Sequence, residues 1–136
     1  MKSYVAAVIA VLVWLLIWDN FLGSMLLGSA MAQIPGMVAE VSKLWETVGY
    51  LFAALMLIGV YARTRSVFGV GPKNGAIYGV YAGLLINFPT WLFMSVYAGW
   101  PYGVAWMMTL GLTFVTVIGG TIAGTVYQAM GGAKAA

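Results

Sequence analysis

Apolar residues fill four long segments of the chain, and most polar residues lie in the short stretches between them. A bilayer core about 30 Å thick needs about 20 helical residues to cross it, within a range of about 17–25. The four segments cover about 4–27, 45–62, 75–97 and 102–127, and each reaches that length. The pattern therefore predicts an all-α fold in which residues 1–136 form a single transmembrane domain, a bundle of four helices.

Glycine and proline mark the predicted ends of these helices. Ile34-Pro35-Gly36 removes a backbone donor and admits unusual dihedral angles, so the first helix should end there. In Gly99-Trp100-Pro101, the proline is well placed at the first position of the fourth helix. Pro89 lies inside the third segment, where the loss of a backbone hydrogen bond predicts a kink. The connections are short and leave no room for a separate soluble domain.

Composition assigns these apolar helices to a membrane. The chain is 63% hydrophobic and 7% charged, whereas soluble domains average about 45–50% apolar and about 25% charged residues. This difference excludes a water-soluble enzyme, a nucleic-acid-binding module and a disordered tail. The sequence contains no cysteine and no histidine, which removes disulfides, thiolate chemistry and the commonest metal ligand. We therefore expect the lipid bilayer as a partner, with no nucleic acid, no metal and no cofactor.

The few charges lie mostly on one side of a four-span arrangement. One side carries five of the six basic residues: Lys2, Arg63, Arg65, Lys73 and Lys134. The other side carries Lys43 together with Glu40 and Glu46. Cytoplasmic loops of membrane proteins carry an excess of lysine and arginine. The distribution predicts that both termini are cytoplasmic, in a multi-pass protein of a bacterial inner membrane.

Small residues recur at a spacing of four on three of the predicted helices. This spacing places them on one ridge, where the missing side chains let another helix approach closely. The ridges are Gly75, Gly79 and Gly83 on the third helix, Thr116, Gly120 and Gly124 on the fourth, and Ser24, Gly28 and Ala32 on the first. One interpretation is packing inside the bundle, and the other is an interface between subunits. Both hold if one ridge faces inward and another outward.

Asp19 is an acidic residue in the outer part of the first predicted helix. An ionised carboxylate at the membrane centre costs about 2.5–3.5 kcal/mol on insertion scales, so such residues usually face protein or water. Asp19 is either a proton- or cation-accepting site, together with Asn20, or an interfacial carboxylate bonded to Lys43 or to the outer loop. We prefer the second interpretation because Lys43 could lie at a similar depth.

Asn87, Pro89 and Thr90 interrupt the apolar pattern near the middle of the third helix. A proline inside a helix frees a carbonyl group, and nearby polar side chains commonly satisfy such groups. A broken helix that lines a cavity can also bind an ion or a substrate through its carbonyls. The three residues are compatible with a kink alone and with a binding site.

Five tryptophans map to the outer half of the predicted bundle: Trp18, Trp45, Trp91, Trp100 and Trp106. Amphipathic rings at the membrane interface form the usual aromatic belt, which is the simpler explanation. The alternative is an outward-opening aromatic pocket for a lipid, a quinone or a pigment.

Two motifs resemble a family of uncharacterised small four-helix bacterial integral membrane proteins. The first is Trp18-Asp19-Asn20-Phe21-Leu22-Gly23, late in the first helix, and the second is Gly99-Trp100-Pro101, before the fourth. The chain departs from that family's pattern because the spacing within the first motif is shifted. It also carries Met108 or Thr109 where such proteins often have an acid. The resemblance implies the four-helix architecture and no particular chemistry.

Three functional hypotheses follow from these observations. The first is a non-catalytic accessory or structural subunit of a membrane protein assembly, with a homo-oligomer as one form of it. The second is a small oligomeric channel or transporter that uses Asp19, Asn87 and the helix break at Pro89. The third is a binder of an apolar ligand between the tryptophans. We expect no enzyme, because no nucleophile–base pair can be assembled, and small-residue ridges favour the first hypothesis.

Overall fold

The computed structural model describes residues 1–34, 36 and 42–131. Within them the elements are α1 (Lys2–Ile17), a π-helical turn (Trp18–Gly23), α2 (Ser24–Met31), α3 (Lys43–Phe68), α4 (Pro72–Ala98) and α5 (Tyr102–Ala129). The first three elements form one helical run. Counted this way, the described residues contain four helices that are long and apolar enough to cross a membrane. The predicted all-α class and its four apolar helices are therefore confirmed.

The helices are longer than the apolar segments that predicted them. The sequence places the end of the second helix near residue 62, whereas α3 continues to Phe68. Arginine is a good helix former, so Arg63 and Arg65 extend the helix although they end the apolar pattern. The helix stops at Gly69, whose φ of 88° is a conformation that favours glycine. The apolar segments of the sequence therefore predict the apolar part of each helix and underestimate its full length.

Some sequence-based expectations lie outside the described residues. The first helix is predicted to end at Ile34-Pro35-Gly36, and Pro35 is outside the described residues. In the described structure, α2 ends at Met31, a few residues before this motif. Glu40 and Lys134, two of the charges that predict the orientation, also lie outside them.

The helix break expected at Pro89 is not present, because α4 continues through this residue without interruption. One residue later, the Thr90 hydroxyl donates a hydrogen bond of 2.6 Å to the carbonyl oxygen of Ile86, one turn back along the helix. The carbonyl that Pro89 leaves without a backbone donor is that of Leu85, so this hydrogen bond lies beside the freed group and does not satisfy it. A bend of α4 at Pro89 stays a prediction. The interrupted helix that the channel hypothesis uses is not observed, because α4 is one continuous helix.

The closest helix packing joins α4 to α5 through small residues. Gly75 lies against Gly120, and a Cβ atom added to either glycine would overlap the backbone carbonyl of the other. A Cβ on Gly79 would lie 2.6 Å from the carbonyl oxygen of Thr116. The two ridges predicted on these helices therefore meet inside the chain: Gly75, Gly79 and Gly83 on α4, and Thr116, Gly120 and Gly124 on α5. The missing side chains let the two backbones approach.

The third predicted ridge, Ser24, Gly28 and Ala32, does not pack against another helix in the described structure. Ser24 and Ala32 are exposed, and a Cβ on Gly28 would meet no atom within 4 Å. Of the two interpretations of the ridges, an outward-facing ridge is the one compatible with this exposure. Leu27 and Ala30 carry the buried face of α2 instead.

α3 packs more extensively on α1 than on α4. Tyr78 of α4 donates a hydrogen bond of 2.6 Å to the carbonyl oxygen of Leu57 in α3. Its ring lies 5.0 Å from that of Tyr61 and 5.5 Å from that of Phe68, both of α3. Tyr127 of α5 packs against Tyr61 from the other side. This tyrosine cluster joins α3 to the α4–α5 pair, and beyond it the two helices leave a gap.

Candidate functional site

The gap between α3 and α4 is a groove of about 730 Å³ that is open on one side. Ligand pockets of proteins commonly measure about 300–1,000 Å³. The lining is mostly aliphatic and aromatic: Leu15, Tyr50, Phe52, Ala53, Met56, Leu57, Val60, Thr64, Phe68, Tyr78, Tyr81, Ala82, Leu85, Ile86, Asn87, Leu112, Val115, Thr116 and Gly119. The groove therefore has the size and chemistry of a site for one apolar molecule.

The groove is elongated along α3. Its lining on this helix runs from Tyr50 to Phe68, which corresponds to about 27 Å at 1.5 Å per residue. The length follows from the packing described above, because α4 is held against α5 by glycines and cannot also close on α3. An extended chain fits this shape better than a compact molecule.

A polar cluster adjoins the groove at the Tyr50 end. The Tyr50 hydroxyl donates a hydrogen bond of 2.8 Å to Asp19 Oδ1. Lys43 Nζ lies 3.7 Å from Asp19 Oδ2 and 2.6 Å from Glu46 Oε2. Asp19 and Glu46 are largely shielded, whereas Lys43 is exposed. The contact with Lys43 that the preferred interpretation of Asp19 requires is thus present, and Tyr50 is a second partner that the sequence analysis missed.

Asn87 is the amide side chain of the groove lining. The residue is only 8% exposed. Its backbone carbonyl accepts a hydrogen bond of 3.5 Å from the Thr109 hydroxyl, but among the described residues its side-chain amide forms no hydrogen bond. The groove therefore contains a polar group whose hydrogen-bonding capacity the surrounding helices leave unused.

Among the described residues, no hydrogen bond joins the four residues of the predicted polar site to one another. Asn20 is exposed, and its amide donates a hydrogen bond of 2.8 Å to the carbonyl oxygen of Leu16 on its own helix. Thr90 is also exposed and bonds within α4. No hydrogen bond joins Asp19 to Asn87 within the described part of the chain. Asp19 adjoins the groove through Tyr50 and Asn87 lines it, so a site that uses both residues stays a prediction.

The tryptophans likewise divide into groups and do not form the pocket that one interpretation expected. Trp18 is buried beside Trp14, and Trp91 stacks on Trp100 with ring centroids 5.5 Å apart. Both pairs belong to a core between the first helical run and the ends of α4 and α5 that meet at their connecting turn. Trp45 and Trp106 are exposed, and no tryptophan is part of the groove lining. The aromatic rings of the groove come from tyrosine and phenylalanine.

Among the described residues, no group of three or more acidic side chains is placed to hold a metal ion. Comparison with known proteins finds no matching family model, no matching curated protein and no matching solved structure. The resemblance to small four-helix bacterial membrane proteins therefore rests on its two motifs alone. The function has to be inferred from the geometry of the groove.

Proposed function

We propose that the chain is a multi-pass integral protein of a bacterial inner membrane, with both termini in the cytoplasm. Four sufficiently long and apolar helices support the membrane location. Four basic residues lie near the same end of the bundle in the described structure, at the start of α1, the end of α3 and the start of α4: Lys2, Arg63, Arg65 and Lys73. Lys43 begins α3 at the opposite end. The positive-inside rule assigns the more basic end to the cytoplasm.

Cysteine labelling tests this orientation, because the natural sequence contains no cysteine. Ser42 and Ser66 are both exposed. Ser42 directly precedes α3, and Ser66 lies in its last turn. We expect a membrane-impermeant maleimide to label the Ser42→Cys variant in spheroplasts with an intact inner membrane. The Ser66→Cys variant should react only after permeabilisation. The reverse pattern would overturn the proposed orientation, and equal labelling of denatured samples controls for expression.

We further propose that the protein is non-catalytic and holds a lipid-like apolar molecule in the groove between α3 and α4. The observation that carries this proposal is the groove itself, which combines a volume of about 730 Å³ with an apolar, elongated lining. Burial of apolar surface is the main source of affinity in such sites. The third hypothesis of the sequence analysis is therefore retained, but its site moves from the tryptophans to α3 and α4.

Two of the small-residue ridges behind the accessory-subunit hypothesis are used inside the chain, where Gly75, Gly79 and Gly120 pack α4 on α5. The third ridge, around Gly28, packs on no other helix in the described structure, so the accessory-subunit hypothesis stays a second proposal. The channel hypothesis relied on an interrupted helix, and α4 is continuous at Pro89. A partner subunit or a second copy of the chain therefore has to use another surface, and the groove is the feature with a defined shape.

Filling the groove tests whether it holds a molecule. Ala82 lines the groove from α4, so the Ala82→Phe variant places a ring in the space that the ligand would occupy. We expect wild-type protein purified in mild detergent to retain an apolar molecule in a fixed ratio, measured by mass spectrometry of the solvent extract. The Ala82→Phe variant should retain only a small fraction of that amount.

The matched control is Val13→Phe, because Val13 is half exposed on α1 and is not part of the groove lining. This variant should retain the molecule as the wild type does. Equal retention by all three proteins, or none in the wild type, would overturn the proposal. A protein partner that co-purifies with the wild type and is lost only in Ala82→Phe would show that another subunit occupies the groove.

A further inference from the structure

Asn87 is a polar residue in the apolar groove, and its position restricts what the groove can bind. Asn87 is only 8% exposed, and it belongs to the lining of the groove. Three fully buried polar atoms of the described structure have no partner, Trp91 Nε1, Ser95 Oγ and Thr113 Oγ1, and these residues are absent from the lining. Asn87 is the largely buried polar side chain, without a hydrogen bond among the described residues, that a molecule in the groove can reach.

The depth of Asn87 makes a charged partner costly. Along α4 it lies about 22 Å from Pro72 and about 16 Å from Ala98, at 1.5 Å per residue, so it is close to the middle of the helix. A charged group at the centre of a bilayer costs at least about 2.5–3.5 kcal/mol. The head group of a phospholipid stays at the interface and would not reach this position. A neutral polar group attached to an apolar body can reach it.

The chemistry of the amide favours a carbonyl oxygen as that neutral group. An asparagine side chain offers two N–H donors and one acceptor oxygen, and a carbonyl group accepts a hydrogen bond without bringing a donor that also needs a partner. The ligand's apolar tail would then follow the elongated lining on α3. Tyr81 and Phe52 contribute ring surface to the lining, which suits a flat ring.

From this arrangement we propose that the groove binds a neutral, carbonyl-bearing lipid of the quinone type, and that Asn87 donates the hydrogen bond that recognises its carbonyl oxygen. The inference rests on the proposed function, because it requires that the groove holds an apolar molecule. It adds the chemical class of that molecule and the residue that selects it. Asn87 acts here as a binding residue, and no electron transfer is involved.

Two probes with the same tail test the proposal: a decyl-substituted benzoquinone and decylbenzene, which has no carbonyl. Delipidated full-length protein in detergent would be titrated with each, and complexes counted by native mass spectrometry. We expect Asn87→Leu, which keeps the branching and the number of side-chain heavy atoms, to weaken quinone binding by about fivefold, because a hydrogen bond of ordinary strength is lost. Decylbenzene should bind wild type and Asn87→Leu equally.

The matched control is Asn20→Leu, which removes an exposed amide outside the groove lining and should leave binding of both probes unchanged. Ligand-free Asn87→Leu should unfold at the same temperature as the wild type or higher, because it removes an amide without a protein partner. A clearly lower unfolding temperature would mean that the amide has an internal partner, and would overturn the inference. Unchanged quinone binding in Asn87→Leu would also overturn it.

Two further outcomes separate the inference from the proposed function. Binding of dioleoyl phosphatidylglycerol, an anionic lipid with ester carbonyls, that weakens in Asn87→Leu as quinone binding does would overturn the assignment to a neutral lipid of the quinone type. If Ala82→Phe binds decylbenzene as the wild type does, the groove is not the site of apolar binding, and the proposed function fails with the inference. If Ala82→Phe loses both probes while Asn87→Leu keeps both, the proposed function stands and the inference alone is overturned.

Discussion

Replacing Gly120 by alanine is expected to lower the free energy of unfolding by about 1–3 kcal/mol, the usual cost of overpacking a tight interior. The added Cβ atom would overlap the carbonyl group of Gly75 and lie 3.0 Å from the backbone nitrogen of Gly79. Both neighbours are backbone atoms of α4, so no side-chain rotation can relieve the overlap. The two helices must separate, and the contacts along α4 and α5 weaken together.

Gly28→Ala provides a matched control for this prediction. Gly28 is also a helical glycine, but a Cβ atom there would meet nothing within 4 Å. Alanine is favoured over glycine inside a helix by about 0.5–1 kcal/mol. The same substitution should therefore stabilise the protein at Gly28 and destabilise it at Gly120. Unfolding in mixed detergent micelles, followed by circular dichroism, measures both changes, and stabilisation at both positions would contradict the packing described for α4 and α5.

The double variant Gly75→Ala/Gly120→Ala adds a test of where the strain lies. The two glycines face each other, so the first alanine already forces the helices apart. The second alanine should then cost less than it does alone, since neighbouring sites are not additive. Two fully additive losses would show that the glycines act at separate contacts.

The helices and the tightest interface were predictable because both depend on short-range regularities. Apolar segments of sufficient length identify the four helices, and a spacing of four identifies the ridge of Gly75, Gly79 and Gly83. The sequence could not decide whether this ridge faces another helix of the chain or another subunit. That choice depends on the position of Gly120 in three dimensions, which no local pattern contains.

The groove was not predictable for the same reason. Its walls come from α3 and α4, and it exists because α4 packs more closely on α5 than on α3. Tyr50 and Tyr81 line it, yet on the sequence they look like any other interfacial tyrosine. The π-helical turn at Trp18–Gly23 was missed as well. Asn87 and Asp19 were identified because polar residues inside apolar helices are rare.

The hydrogen bond between Tyr50 and Asp19 is expected to hold α3 against the π-helical turn. The hydroxyl donates to Asp19 Oδ1 over 2.8 Å, and hydrogen bonds to charged groups contribute about 1.5–3 kcal/mol. Asp19 is 21% exposed, so we expect Tyr50→Phe to lower the free energy of unfolding by about 1.5 kcal/mol, the lower end of that range. Tyr97→Phe is the matched control, because Tyr97 is 83% exposed and its hydroxyl forms no hydrogen bond among the described residues.

A double-mutant cycle decides which partner stabilises Asp19. If Tyr50 is the main partner, Tyr50→Phe should cost little in a protein that already carries Asp19→Ala, because the acceptor is gone. Lys43→Met should show little coupling to Asp19, because Lys43 is exposed, lies 3.7 Å from the carboxylate and has a shorter contact with Glu46. Strong coupling to Lys43 and none to Tyr50 would contradict this assignment. Asp19 would then be an ion-paired residue of the bundle surface, and the polar end of the groove would depend on Lys43 and not on Tyr50.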